Sequence, residues 1–207
     1  AKKSSSKANH FQPGAILDMV VYHSDQKQMQ RIKEFKWDYL FQQVLSDVIK
    51  NSIALYIVEL IQKCLKKPEQ NKPLFYFCED VFQQLDQTET AVAANFPLFF
   101  TLQLPQFFGF RMNDPLNSND QSTALYLDLK EGNFTSTPPQ HPHFMEGNHA
   151  LLTAELLKIM HPKELTEIKL NHHTRRELLF KYLDYYALHV HEFGQMKTIA
   201  VLHEVLG

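Results

Sequence analysis

The order of apolar and polar positions predicts a strand-like beginning followed by a series of helices. The longest regular pattern runs from Trp37 to Lys67, a stretch without glycine or proline. Its apolar side chains recur at spacings of three and four, and a second apolar line that includes Leu55 and Val58 widens the face. We therefore predict a central helix with neighbours on two sides, which ends before Pro68. Asp47 is a candidate cap for a second helical segment within this stretch.

Two strand-like segments precede this helix. Residues 11–22 bring together a run of branched and aromatic side chains, and residues 29–37 alternate between polar and apolar positions. In the second segment, strict alternation predicts Ile32 on one face and Phe35 on the other. Because two strands alone do not form a stable domain, we expect partner strands, and the residues before Ala1 are where we would look for them.

Further helical patterns follow the central helix. They cover residues 73–87, 91–108, 149–159, 162–168, 174–191 and 197–206. Pro105 is expected to kink the second of these helices. The stretch 111–147 is instead rich in Asn, Asp, Ser, Pro and Gly, and residues 124–134 within it predict a small hairpin. The chain is thus predicted to be mainly α, with a helical bundle behind a β-hairpin and a small irregular or β insertion.

Composition adds a charge asymmetry to this picture. Of the 207 residues, 44% are hydrophobic, including 16 Phe and 8 Tyr, so a sizeable core is expected. The net charge is -2, but residues 1–36 carry +4 and the remainder -6. A basic end on an acidic body suggests contact with a polyanion, although an ordinary solvated surface is the plain alternative. The candidate cations are Lys2, Lys3, Lys7, Arg31, Lys33 and Lys36. Arg31 and Lys33 are predicted to share a strand face, with Lys36 beyond them.

Enzymatic chemistry has little support. The six glycines are scattered, so no phosphate-binding loop is present, and no paired carboxylates stand out. Cys64 and Cys78 lie in apolar helical patterns and are expected to be buried thiols in a reducing cytoplasm. Histidine pairs invite a metal hypothesis, at His141 and His143, at His172 and His173, and at His189 and His191. Their spacing does not suit a common ion, and solvated or capping roles are favoured.

No run is long and apolar enough for a membrane span, and no signal peptide is visible. The chain begins in a lysine- and serine-rich segment without an initiating Met, which is typical of a fragment or a cleavage product. These observations favour a binding protein over an enzyme.

The order of several segments resembles that of the RecO family of DNA recombination and repair mediators, in the form without a zinc finger. The segments that carry this resemblance are Phe11-Gln-Pro-Gly, Leu17–Tyr22, Gln30–Phe35, Leu74-Phe75, Phe108-Gly-Phe110, Arg175-Arg-Glu-Leu-Leu and Tyr185-Tyr-Ala-Leu-His189. No single motif is specific, but their order and spacing together extend over nearly the whole chain.

The resemblance implies a domain organisation. Residues 1–36 would form the later part of an N-terminal OB-fold barrel whose first strands are absent from the sequence. Residues 37–110 and 148–207 would form a helical domain. Residues 111–147 would occupy the position of a four-cysteine zinc module, but they contain no cysteine. We therefore expect no metal and no cofactor, and a small hairpin held by packing.

The implied activity is non-catalytic. RecO proteins bind and anneal single- and double-stranded DNA, contact the acidic tail of single-strand binding protein, and act with RecR in loading RecA. The resemblance thus implies a cytoplasmic, nucleoid-associated protein with no membrane contact. The tail contact calls for an apolar pocket and a cation, for which Arg175, Arg176, Phe180 and Lys181 are the candidates. The alternative is a helical protein-protein adaptor that binds no nucleic acid.

Overall fold

The computed structural model describes residues 10–27, 29–67, 70–113 and 126–207. The strands are β1 (Ile16–Tyr22), β2 (Arg31–Tyr39), β3 (Tyr126–Asp128), β4 (Asn133–Thr135) and β5 (Phe144–Glu146). The α-helices are α1 (Val48–Cys64), α2 (Lys72–Gln87), α3 (Thr90–Ala93), α4 (Phe96–Gln103), α5 (Gly147–Leu157), α6 (His172–His189) and α7 (Thr198–Leu206). Two 3-10 helices cover Leu104–Phe107 and Pro162–Glu167. The mainly α fold class is confirmed.

The central helix is shorter than predicted. α1 begins at Val48 because residues up to Tyr39 continue strand β2, and a turn occupies the residues between them. The Asp47 side chain accepts a hydrogen bond from the backbone N–H of Lys50 at 2.9 Å, so Asp47 is the N-cap of α1. The predicted cap is confirmed, while the predicted helical start at Trp37 is wrong.

The core is built around α1 and α4. α1 packs against both α4 and α7, and α4 packs against α6. Every residue of α4 is buried, and on α1 Tyr56 and Leu60 are inaccessible to solvent. The Tyr56 hydroxyl meets the hydroxyl of Thr101 at 2.6 Å, which satisfies both polar groups inside the core. The aromatic bundle is therefore closely packed in the way that the apolar pattern predicts.

The predicted helix over residues 91–108 is divided. α3 ends at Ala93, α4 follows from Phe96, and a 3-10 turn replaces the last α-helical turn. Pro105 lies in this turn, where its missing N–H and its ring favour the tighter geometry over a kinked α-helix.

The insertion contains one more strand than predicted. β3 pairs with β4 and also with β5, so a three-stranded antiparallel sheet replaces the expected hairpin. Leu127 and Met145 bury one face of this sheet in the core. The His189 ring lies 2.9 Å from the carbonyl oxygen of Leu129 and ties the sheet to the end of α6. The sheet is held by packing and hydrogen bonds.

The N-terminal strands form a two-stranded antiparallel sheet, and no closed barrel exists within the described residues. Met19, Val21 and Ile32 on this hairpin remain 44–46% exposed. A groove of about 430 Å³ separates the hairpin from α2 and is lined by apolar side chains of both, among them Phe75 and Leu17.

Candidate functional site

Two β-bulges determine which side chains share a face of the hairpin. Val20 pairs with Glu34 and Val21 with Ile32, so Lys33 is the extra residue of one bulge. Because one extra residue is inserted, the side chains of β2 beyond Lys33 lie on the face opposite to the one that uninterrupted alternation would give them. The second bulge lies at the other end of the hairpin, opposite Ile16.

The first bulge corrects the predicted faces. Ile32 and Phe35 pair with Val21 and Met19, which lie on the same face of β1, so the expectation that they face opposite ways is wrong. The other face carries Tyr22, Val20 and Asp18, and the residues paired with these three are Arg31, Glu34 and Lys36. The Lys33 side chain reaches Glu34 on this face.

Three of the predicted cations therefore lie on one strand face. Arg31 and Lys33 share this face as predicted, and the bulge adds Lys36. Lys33 pairs with Glu34, and Lys36 pairs with Asp18, each at 3.2 Å between nitrogen and oxygen. Both pairs are exposed, so water and salt screen them strongly. Residues 1–9, which contain Lys2, Lys3 and Lys7, lie outside the described residues.

A buried carboxylate joins this hairpin to the helices. Asp86, at the end of α2, is 2% exposed and accepts hydrogen bonds from the backbone N–H groups of Gln42, Gln43 and Val44 at 2.8–3.1 Å. The Tyr39 hydroxyl donates to it at 3.3 Å. Burial alone would raise the pKa of Asp86, but these hydrogen bonds lower it below its ordinary value. The carboxylate thus fixes the turn between β2 and α1.

A buried lysine completes the joint. Lys50 is inaccessible to solvent, and its ammonium group donates to the side-chain oxygen of Gln43 at 2.6 Å and to the main-chain oxygen of Asp86 at 2.9 Å. Burial lowers the pKa of Lys50, while the charges of Asp47 and Asp86 oppose that shift. We call Asp86, Lys50 and the residues they bind the hairpin joint. The sequence analysis did not predict this joint. Asp86 follows Phe82 by four positions and so lies on the apolar face of α2, where a carboxylate is unusual.

A second polar cluster lies where α6 and α7 meet α4. Arg175, Arg176 and His203 line a narrow cleft with apolar side chains that include Leu98 and Leu202. The free space in this cleft is only about 20 Å³, which is room for about one water molecule. Arg175 donates to the carbonyl oxygen of Leu170 at 2.6 Å. We call this the C-terminal cleft.

Two polar atoms of this cleft are buried without a hydrogen-bond partner among the described residues. They are Nε of Arg175 and Nε2 of His203. Burial lowers the pKa of the Arg175 guanidinium. Burial and the nearby charge of Arg176 lower the pKa of His203. The cleft therefore concentrates donors and positive charge in an apolar setting, which suits an anionic group.

An apolar groove begins on the other side of Phe180. The Phe180 ring lies 4.8 Å from the ring of His203 and 5.7 Å from the guanidinium of Arg176. It also lines a groove of about 470 Å³ between α6 and α7, whose other walls include Leu183 and Ile199. The structure thus brings Arg175, Arg176 and Phe180 together. Lys181 lines neither the groove nor the cleft, and His203 was not predicted.

α1 holds α7 in place beside this cleft. The Glu59 carboxylate accepts hydrogen bonds from the backbone N–H groups of Lys197 and Thr198 at 2.7 and 2.8 Å. Burial would raise the pKa of Glu59, but hydrogen bonds from Thr198 and Lys197 and the charge of Lys63 lower it. Because Glu59 binds the N–H groups at the start of α7, it acts as a cap contributed by another helix.

Two of the histidines considered as metal ligands contact carboxylates. His141 contacts Asp128 at 3.1 Å, and His173 contacts Glu177 at 3.2 Å. No set of three or more His, Cys, Asp or Glu residues within the described ranges is arranged to hold a metal ion. Burial raises the pKa of Cys64 and of Cys78 to about 12, which keeps both thiols protonated at neutral pH. Cys64 is buried as predicted, and Cys78 is only partly buried.

Within the ranges that the structure describes, no helix combines the length and apolar character that crossing a membrane requires.

Comparison with known proteins identifies the family of this chain. Residues 45–197 match the family model described as Recombination protein O C terminal. The chain belongs to the RecO family. The match spans α1 to α6 and includes the insertion, so the family resemblance found in the sequence is confirmed. The chain is accordingly a DNA repair protein of the RecO family.

Relatives named DNA repair protein RecO match along the whole chain. The one from Azobacteroides pseudotrichonymphae genomovar. CFP2 is 31% identical over 204 residues, which cover 99% of this chain and 82% of that protein. Those from Christiangramia forsetii and Flavobacterium johnsoniae are 30% and 28% identical, each over 100% of this chain and 83% of the relative. No solved structure matches the chain.

Proposed function

We propose that this RecO-family protein is a non-catalytic recombination mediator. It binds and anneals DNA, engages single-strand binding protein and RecR, and promotes the loading of RecA. Membership of a DNA repair family supports this role. The observation that carries the DNA-binding part is the gathering of Arg31, Lys33 and Lys36 on one face of the hairpin.

The hairpin face has the chemistry of a weak, sequence-tolerant DNA contact. Its cations neutralise phosphates without reading bases, and Tyr22, 59% exposed on the same face, offers a ring on which a base can stack. Glu34 and Asp18 offset part of the positive charge. Lys2, Lys3 and Lys7 precede the hairpin in sequence and extend the basic region.

Binding to a fluorescent single-stranded oligonucleotide at several salt concentrations tests this proposal. Reversing the charge of Lys2, Lys3 and Lys7 to Glu should weaken binding and flatten the salt dependence, since each lost phosphate contact lowers the slope by about 0.7 for a single strand. Reversing Arg31, Lys33 and Lys36 should act in the same direction.

A matched control reverses three exposed lysines of the helical part, Lys158, Lys163 and Lys169, which changes the net charge equally. An equal loss of DNA affinity in the control would indicate a general charge effect and would contradict a specific DNA contact by the basic hairpin. No salt-dependent binding by the unmodified chain would favour the adaptor alternative. Annealing of complementary strands and capture by purified RecR extend the test to those activities.

We place the contact with the acidic tail at the C-terminal cleft and the groove beside it. The tail's terminal carboxylate would lie at Arg175 and Arg176, and its last apolar side chains would lie in the groove past Phe180. The apolar walls of the groove and the unpaired donor of Arg175 support this assignment. Asp184 in the groove repels further carboxylates and so favours the apolar end of the tail there.

A synthetic peptide of several aspartates followed by leucine and a terminal phenylalanine tests the assignment. It should bind with micromolar affinity, and the same peptide with an amidated terminus should bind more weakly by roughly tenfold or more, because a charge-assisted hydrogen bond is lost. Equal affinity of the two peptides would show that the terminal carboxylate does not bind at the proposed site.

A further inference from the structure

Two aromatic rings that line the groove between α6 and α7 each have a cation against them. The guanidinium of Arg176 lies 5.7 Å from the centre of the Phe180 ring. The ammonium of Lys63, which comes from α1, lies 5.3 Å from the centre of the Phe193 ring. The groove between these rings has a volume of about 470 Å³ and mostly apolar walls. Positive charge is therefore present at two separate places along an apolar groove.

The two rings lie at different levels along α6. Phe193 follows the helix in sequence, but its ring packs 5.4 Å from the ring of Tyr186, which is six residues beyond Phe180. Six residues of α-helix advance by about 9 Å. Because an extended peptide covers about 3.3 Å per residue, the two rings are separated by about three residues of a peptide that lies along the groove.

Gly194 leaves space beside the Lys63 ammonium. It lines the groove, and its φ of 60° disfavours any residue with a side chain. A Cβ atom at this position would lie 3.8 Å from Lys63 Nζ, and among the described residues it would meet no other atom within 4 Å apart from its chain neighbours. A carboxylate can therefore approach the ammonium at Gly194 without displacing another side chain.

The contacts of Lys63 hold its ammonium in place and leave it able to accept a further partner. Its Nζ donates to the carbonyl oxygen of Phe193 at 2.6 Å, and an ammonium group has two more donors. The carboxylate of Glu59, one turn earlier on α1, accepts hydrogen bonds from the backbone N–H groups of Lys197 and Thr198. Glu59 therefore moderates the positive charge of Lys63 but is bound to the start of α7.

The wall between the two rings disfavours an anion. It includes the apolar side chains of Leu183 and Ile199, and its carboxylate is that of Asp184, one helical turn after Phe180. Asp184 repels a carboxylate placed midway along the groove, whereas Arg176 and Lys63 attract one at either end. The groove therefore suits a peptide with uncharged residues in the middle and carboxylates about three residues apart.

We propose that Lys63 is a second anion contact of the tail site, where its ammonium binds the carboxylate of an aspartate beside Gly194. This inference rests on the proposed tail contact and deepens it, because two contacts determine the direction of the peptide. Its terminal carboxylate lies at the Arg176 end, and the preceding residues run toward Phe193. The aspartate at Lys63 precedes the terminal residue by about three positions.

A series of peptides tests the contact with the full chain. Each peptide ends in leucine and phenylalanine and keeps one aspartate among asparagines, at a different distance from the terminus. Affinity should exceed that of the all-asparagine peptide by about three- to tenfold when the aspartate lies about three residues before the end. Lys63→Gln should remove this gain. It should change affinity for the all-asparagine peptide by less than about twofold, because a glutamine amide retains a donor for the Phe193 carbonyl.

Two further variants separate charge at this position from charge in general. Lys63→Arg keeps the charge and should retain the gain from the aspartate. Lys66→Gln is the matched control, because Lys66 is an exposed cation three residues further along the chain and does not line the groove. It should leave the gain unchanged. Fluorescence anisotropy at low salt measures all of these affinities.

The outcomes distinguish this inference from the proposed tail contact. A gain that does not depend on the position of the aspartate, or that persists in Lys63→Gln, would overturn the role of Lys63 and leave the terminal carboxylate contact intact. An equal loss of affinity for every peptide in Lys63→Gln would also overturn it, since that is the effect of a purely structural role. Failure of the unmodified chain to bind the aspartate-rich peptide would overturn both proposals.

Discussion

The hairpin joint and the C-terminal cleft are both polar clusters enclosed by apolar side chains, and they differ in how fully their groups are paired. At the joint, the Asp86 carboxylate receives four donors and the Lys50 ammonium finds two acceptors. At the cleft, Arg175 and His203 each have a buried nitrogen for which the described residues offer no hydrogen-bond partner. Asp86 and Lys50 are also buried and oppositely charged, whereas Arg175 and His203 are partly buried and carry no opposite charge.

This difference separates structural from functional roles. A cluster whose polar groups are all paired gains no hydrogen bonds from a ligand and fixes the helices and strands around it. Replacing its residues should therefore lower the free energy of unfolding. A partly paired cluster stores a desolvation cost that a ligand can relieve, so its removal should damage binding more than stability.

The largest expected effect is at the joint. Asp86→Ala should lower the free energy of unfolding by about 3–5 kcal/mol, because it leaves the backbone N–H groups of Gln42, Gln43 and Val44 without their acceptor. Urea unfolding measures this loss. Asp80→Ala, at a half-exposed position of the same helix, is the control and should cost less than about 1 kcal/mol. Equal losses would mean that the joint contributes no special stability.

Acid should weaken the joint in the unmodified protein. The pKa of Asp86 is lower in the folded state than in the unfolded chain. Its contribution is therefore fully present above the unfolded pKa, near 4, and is lost as pH falls from there through the folded pKa. The stability difference between the unmodified protein and Asp86→Asn should shrink over this range. A difference that stays constant as the pH falls would contradict the assignment.

At the cleft, the larger effect should be on binding. Arg175→Ala should reduce affinity for the aspartate-rich peptide by roughly tenfold to a hundredfold, since a charge-assisted hydrogen bond is lost. The unfolding free energy should change by less than about 2 kcal/mol, from the Leu170 contact. Lys181→Ala changes the same charge outside the cleft and should reduce affinity by no more than about twofold. A larger loss of peptide affinity in Lys181→Ala than in Arg175→Ala would indicate that the peptide binds elsewhere.

The smallest expected effect is on the hairpin face, where the polar groups are exposed. The double variant Asp18→Asn with Glu34→Gln releases Lys36 and Lys33 from their partners. Affinity for single-stranded DNA should rise by roughly two- to fivefold at low salt, and the gain should disappear as salt rises. Asp25→Asn, in the turn that joins the two strands, is the control. An unchanged affinity would place the DNA contact elsewhere.

Local patterns predicted much of the fold. The apolar spacing of α1 and α6 and the capping oxygen of Asp47 depend on neighbours a few residues away, so the sequence contains that information. The predicted start of α1 was wrong because the aromatic residues Trp37 and Tyr39 suit a strand and a helix face equally well. Strand β5 was missed because its three residues take their register from β3 rather than from their own pattern.

The candidate sites were less predictable, because they depend on long-range contacts. The bulge at Lys33 arises from pairing with β1, so it could not be read from the alternation of β2. Arg175 and Arg176 were candidates only because the family resemblance implies a contact that calls for a cation. His203 was not predicted, since it lines the cleft only because α7 lies beside α6. The domain boundaries and the DNA-binding and partner-binding residues remain predictions.

The capping of α7 by Glu59 has a consequence for the order of assembly. The two partners are separated by 139 positions in sequence, so a ribosome completes α1 long before α7 emerges. Until then the Glu59 carboxylate has no N–H groups to receive, and the His203 side of the cleft does not exist. The helices before α7 can therefore pack against one another first, and the proposed anion contact is complete only once α7 has docked on Glu59.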